Sequence, residues 1–110
     1  MITTHVLDTA RGGAAVGVTV ILEVRQGSDW HPVGRGSTDA NGRVTTLTDD
    51  VAIVPGTYRL TFDLATYFRE RHVETFYPEA IIVFTVSDAA QNYHVPLLLS
   101  AWGYSTYRGS

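Results

Sequence analysis

The sequence predicts an all-β fold, an antiparallel sandwich of about eight short strands with a single helical excursion. Three observations predict it. Apolar residues recur with a period of two along most of the 110 residues, turn-forming clusters separate these runs at regular spacing, and one segment alone carries a helical repeat.

In chain order, the first strand is expected over about Thr3 to Asp8, ending at the turn Arg11-Gly12-Gly13. Next, Val18, Val20, Leu22 and Val24 alternate with Thr19, Ile21, Glu23 and Arg25, the pattern of a half-buried strand. Gln26-Gly27-Ser28-Asp29 turns the chain into a strand over His31 to Gly36, and Asp39-Ala40-Asn41-Gly42 turns it again into Arg43 to Leu47. After Val54-Pro55-Gly56, Tyr58, Leu60 and Phe62 alternate with Thr57, Arg59, Thr61 and Asp63. The helix follows from Leu64 to about Arg71, with Asp63 as its cap and Leu64, Phe68 and Arg71 on one face. Ala80 to Val86, the turn Ser87-Asp88-Ala89-Ala90, Tyr93 to Ser100 and Gly103 to Tyr107 complete the strands.

Two strands depart from the rule that the outer face is polar. In the strand beginning at Tyr93, residues Tyr93, Val95, Leu97 and Leu99 point one way and His94, Pro96, Leu98 and Ser100 the other. A face holding Pro96 and Leu98 beside a histidine is too apolar for simple solvation, so it is expected to pack against another subunit or line a pocket. Ile21 between Thr19 and Glu23 is a milder case. Pro96 within a strand also implies an edge, a bulge or a strand end.

Length supports one domain, residues 1–110, with a modest core. A net charge of −3 argues against nucleic acid, since phosphate binding needs a basic surface. All eight cations are Arg, a bias that suits anion and imide recognition and that a GC-rich genome would also produce. The start Met1-Ile2-Thr3-Thr4-His5 has neither a basic stretch nor an apolar run of signal length, and no segment is long enough to span a bilayer, so no membrane partner is expected. With no Cys the fold draws nothing from disulfides, which suits a reducing compartment. The expected location is the cytoplasm, or the periplasm for a chain whose signal peptide has been removed.

Chemistry is carried by few residues. The four histidines, His5, His31, His72 and His94, show no i, i+2 or i, i+4 spacing, so no metal site is expected. Neither a Gly-x-Ser-x-Gly turn nor a phosphate loop is present. His31 beside Pro32 near a turn, and His72 at the helix end where a cation suits the dipole, read as structural. His5 and His94 lie mid-strand, where packing and catalytic roles both remain open. The terminal Tyr107-Arg108-Gly109-Ser110 follows an apolar, aromatic hairpin. Either it forms the wall of a site, or it is an edge whose Arg guards against aggregation.

Thr3-Thr4-His5-Val6-Leu7-Asp8-Thr9, Thr38-Asp39-Ala40-Asn41-Gly42-Arg43, and Tyr93-His94-Val95-Pro96-Leu97-Leu98-Leu99-Ser100 running on to the closing Tyr107-Arg108-Gly109-Ser110 resemble the 5-hydroxyisourate hydrolases, enzymatic relatives of transthyretin. Phe76-Tyr77-Pro78-Glu79 and Ile82-Val83-Phe84-Thr85-Val86 fit the same likeness, which spans the chain. The resemblance implies a sandwich of two four-stranded antiparallel sheets, assembled as a homotetramer, a dimer of dimers with active sites at the junction. It also implies hydrolysis of 5-hydroxyisourate to 2-oxo-4-hydroxy-4-carboxy-5-ureidoimidazoline in urate catabolism. The family's catalytic set falls on His5, Arg43 and His94, and its substrate-binding terminal motif on Tyr107, Arg108, Gly109 and Ser110. Asn92 stands where many members have a second histidine, and Ala101 where a Pro is common. No cofactor is needed, because the ring carbonyl is already electrophilic and hydrolysis transfers no electrons. A transthyretin-like carrier of a small aromatic ligand, without catalysis, is the alternative function.

Overall fold

Two sheets face one another across the core in the computed structural model, which describes residues 1–110. The strands are β1 (Ile2–Asp8), β2 (Gly13–Ala14), β3 (Thr19–Gln26), β4 (Asp29–Ser37), β5 (Arg43–Val44), β6 (Gly56–Asp63), β7 (Glu79–Val86), β8 (Tyr93–Ser100) and β9 (Gly103–Thr106), with the helix α1 (Leu64–Glu70) between β6 and β7. One sheet runs β4-β3-β6-β7 and the other β2-β1-β8-β9, with β5 also paired to β1. The sandwich expected from the alternating pattern is therefore present. It is not wholly antiparallel, because β1 and β8 pair in parallel from Ile2↔Tyr93 to Asp8↔Leu99.

Alternation decides the core. Val18, Val20, Leu22, Tyr58, Leu60 and Phe62 from one sheet meet Ile2, Val6, Leu97 and Leu99 from the other, each almost wholly excluded from solvent. Burial of each such side chain contributes roughly 1.5–3 kcal/mol. Polar groups drawn into this layer are all paired. Asp8 accepts from the Tyr67 hydroxyl at 2.8 Å, which ties α1 to the end of β1, and Thr38 receives the Val18 N–H while donating to the Ala15 carbonyl.

The helix is capped as its sequence indicates. Asp63 accepts from the Thr66 N–H at 3.1 Å. At the other end His72 adopts φ +58, and the N–H groups of His72 and Val73 return to the carbonyls of Arg69 and Phe68. That is a left-handed helix stop in which His72 takes the place usual for glycine, a structural role as expected.

Three elements differ from the sequence expectation. Gly13–Ala14, at the end of the predicted turn Arg11-Gly12-Gly13, forms the short β2 against Leu7 and Asp8. β5 ends at Val44 instead of Leu47, because Leu47 turns inward and lies on the backbone of Gly34, where any Cβ would meet the Leu47 carbonyl. β9 ends at Thr106, though its register with β8 resumes at the bridge between Gly109 and His94. The interruption falls opposite Pro96, which has no N–H to offer the ladder.

Candidate active site

Register brings the three catalytic candidates together. β1 lies between β8 and β5, so that His5 is directly opposite Arg43 on one side while Thr3 is opposite His94 on the other. Residues paired across strands project to the same face. His5, Arg43 and His94 therefore share the outer face of the β2-β1-β8-β9 sheet, with the His5 and His94 ring centroids 6.4 Å apart. Beyond them the same face carries Leu98 paired with Leu7, both half-buried, an apolar patch anticipated from the strand pattern, whereas Pro96 is already buried within the chain.

The turn before β5 is built to deliver Arg43. Asp39 accepts from the N–H groups of Asn41 at 2.8 Å and Arg43 at 3.0 Å. Gly42 has φ +77, and its carbonyl accepts the Val6 N–H at 2.7 Å. A side chain at Gly42 would be strained and would press on the Val6 carbonyl, so only glycine lets this turn close against β1 beside His5. The hydrogen bond from the Arg43 N–H, then that from Asn41, holds the Asp39 carboxyl below the usual carboxylate range, with the Arg43 and His5 charges adding to the effect.

His94 is held on two edges. Its Nδ1 lies 2.8 Å from Thr3 Oγ1. The Cδ2 edge faces Gly109, where a Cβ would come within 2.7 Å of it, and the Gly109 N–H donates to the His94 carbonyl at 2.8 Å. Burial, then the charges of Arg43 and His5, push His94 below its ordinary value of 6.5, favouring the neutral imidazole.

The tail divides between two faces. Gly109 sits against His94, but Arg108 is one residue earlier and alternation turns it to the opposite side. Its guanidinium donates to Gln91 Oε1 at 3.0 Å and lies 4.6 Å from the centroid of the Tyr93 ring. With Tyr107 it lines a cavity of about 240 Å³ shared with Ile82, Phe84 and Val95. Tyr107 and Ser110 are exposed. His31 lies on β4 of the other sheet, and His72 ends α1. No three His, Asp or Glu side chains are grouped closely enough to hold a metal ion.

Asp39 and Thr3 escaped the sequence reading as site residues. Asp39 lies in a recognisable turn, yet its effect on Arg43 depends on the turn closing against β1. Thr3 meets its partner 91 positions along the chain. Only the parallel register between β1 and β8 reveals that pairing.

At one end of the sheet, then, two imidazoles and a guanidinium converge beside a backbone clamp from the tail. Such a group can donate to, accept from and polarise an uncharged carbonyl compound. Comparison with known proteins agrees in extent. Residues 2–109 match the model of the HIUase/Transthyretin family. A probable 5-hydroxyisourate hydrolase of Caenorhabditis elegans is 48% identical over 109 residues, covering 99% of this chain and 81% of the relative. The solved 5-hydroxyisourate hydrolase of Klebsiella pneumoniae superposes with a TM-score of 0.83 at 32% identity, covering 99% of this chain and 98% of that one. Transthyretin from Sparus aurata superposes at 0.92 with 26% identity, covering 98% and 95%. The chain belongs to the HIUase/Transthyretin family.

Proposed function

We propose that this protein hydrolyses 5-hydroxyisourate, opening its six-membered ring in urate catabolism. The observation that carries the reading is the convergence of His5, Arg43 and His94 on one sheet face, on a chain whose relatives include 5-hydroxyisourate hydrolases over nearly its full length. Water adds to a ring carbonyl carbon, the C–N bond of that amide breaks, and the nitrogen leaves with a proton. Such a sequence needs a base, a stabiliser for the developing oxyanion and an acid. His5 and His94 share the base and acid roles, and the planar fork of Arg43 receives the carbonyl oxygen.

The tail residues complete the proposal. Gly109 brings the terminus alongside His94, Tyr107 holds the last strand, and Arg108 and Ser110 grip and enclose the substrate. For Arg108 this requires its guanidinium to leave Gln91 and the Tyr93 ring and pass round the sheet edge.

The working unit in this proposal is a single domain of residues 1–110 assembled as a homotetramer. Supporting it, none of the chain's three cavities is lined by His5, Arg43 or His94, so a second subunit would supply the far wall of the site. Two edge strands, β7 with exposed Ile81 and Val83 and the short β9, carry no lysine to keep another edge away. A cytoplasmic location belongs to the same reading and rests on the cysteine-free sequence. No helix is long and apolar enough to cross a membrane.

The higher superposition score of a transthyretin makes the carrier the reading to test against. Freshly generated 5-hydroxyisourate should decay faster with the protein than in a blank, followed by ultraviolet absorbance. His5→Asn, Arg43→Ala and His94→Asn should each lower turnover by about a hundredfold or more, and His31→Asn and His72→Asn should leave it unchanged. Decay at the blank rate would favour the carrier.

A further inference from the structure

We propose that Thr3 is a positioning residue for this reaction, holding His94 in the tautomer with its proton on Nδ1 so that Nε2 is the nitrogen that exchanges a proton with water. The proposal rests on the hydrolase reading, which selects the direction of the Thr3–His94 hydrogen bond; the 2.8 Å contact itself does not depend on it.

The geometry starts from the register. Thr3 and His94 face each other across the parallel β1–β8 pair, both half-buried, and their contact of 2.8 Å is the one hydrogen bond that either side chain makes within the chain. On the opposite edge of the ring, Gly109 lies so close to Cδ2 that no side chain would fit there. The imidazole is thus confined on two edges, with Nδ1 paired, Nε2 without a hydrogen-bond partner in the chain, and the His5 ring on the same face 6.4 Å away centroid to centroid.

Proton bookkeeping then selects the direction of the bond. A threonine hydroxyl can donate to Nδ1 or accept from it. If it donates, the neutral ring carries its proton on Nε2, and a ring in that state has no lone pair at the open position to receive a proton. If it accepts, Nδ1–H points to Thr3 Oγ1 and Nε2 presents the lone pair. Water can then transfer a proton to Nε2 while its oxygen bonds to the substrate carbonyl carbon, and the resulting imidazolium keeps the same Nδ1–H bond to Thr3. No rotation of ring or hydroxyl is needed in either half of the cycle. The partner of one ring nitrogen determines what the other can do.

Two variants test this. Thr3→Val keeps the branched shape and removes the hydroxyl, and Thr3→Ser keeps the hydroxyl. Two-bond proton–nitrogen correlation spectra of the ring at neutral pH should show His94 Nδ1 as the protonated nitrogen in the wild type and in Thr3→Ser, and a mixture of tautomers in Thr3→Val. Turnover number should fall about tenfold in Thr3→Val, the low end of what loss of an orienting partner costs, and return in Thr3→Ser. KM should stay near the wild-type value, since Thr3 does not itself meet substrate. A wild-type ring protonated on Nε2, full turnover in Thr3→Val, or a Thr3→Ser as slow as Thr3→Val would each overturn the proposal. Wild-type protein inert toward 5-hydroxyisourate would remove the hydrolase reading instead, and the ring spectrum would then decide the proposal for Thr3.

Discussion

Arg43 acts on its surroundings through charge as well as through its donors. It faces His5 across β1 and β5, and its cation is the second-largest influence, after burial, holding His94 below 6.5. A neighbouring cation disfavours the imidazolium, so removing it raises the value for His94. A base must be neutral to work. In Arg43→Ala the residual activity should therefore fade at a higher pH on the acid side than in the wild type, and His5→Asn should show a smaller displacement in the same direction. Profiles of kcat/KM against pH measure both; an acid limb that stays in place or moves down would separate His94 from the rate. The same depression has a consequence for folding. The folded state favours neutral His94, so its contribution to stability is present above 6.5 and is lost as pH falls through the lower folded-state value.

Elements place these residues, and the tail is the one whose two readings diverge most. Its holds are the Gly109 N–H to the His94 carbonyl and the exposed Arg108 guanidinium on Gln91 and over the Tyr93 ring. Deleting Arg108, Gly109 and Ser110 should cost little stability, about half a kcal/mol as for other surface changes. Activity should nonetheless fall heavily, because His94 loses the wall at its Cδ2 edge and the substrate loses its enclosure. Two melting curves and two rate assays suffice, and full activity after truncation would leave the tail a mere edge strand. Much of this level was legible in sequence. Period-two alternation located β1, β3, β6, β7 and β8 within a residue or two, and Asp63 marked the start of α1. What alternation does not encode is pairing. That β1 lies parallel to β8 depends on the whole sandwich closing, and with it go the Thr3–His94 contact and the approach of the Asp39 turn to His5. Nor did a strand reading foresee that Leu47 would fold over Gly34 and cut β5 short. His5 and His94 stood out as mid-strand histidines, but the pattern alone left them between packing and catalysis; the resemblance supplied their roles.

At the scale of the whole molecule, the face that carries His5, Arg43 and His94 also carries half-buried apolar residues. Leu98 lies opposite Leu7 and Leu7 opposite Ala14, all three half-buried, so an apolar stripe runs on from the basic cluster past the buried Pro96. Covering it with the same face of another copy would bury the stripe and set two clusters near each other across a symmetry axis. Edge pairing through β7 or β9 would be a separate contact, and the two together generate a closed dimer of dimers. Light scattering at micromolar concentration should accordingly give the mass of four chains. Leu98→Arg puts a charge into the stripe on the face of the sheet, between Leu7 of β1 and Ser105 of β9, and leaves His5, Arg43 and His94 unaltered. It should reduce the mass to that of a dimer, leave the melting transition cooperative, and lower turnover although His5, Arg43 and His94 are intact. A wild-type monomer would overturn both the assembly and a site shared between subunits. A Leu98→Arg dimer with full activity would keep the assembly and confine catalysis to one chain.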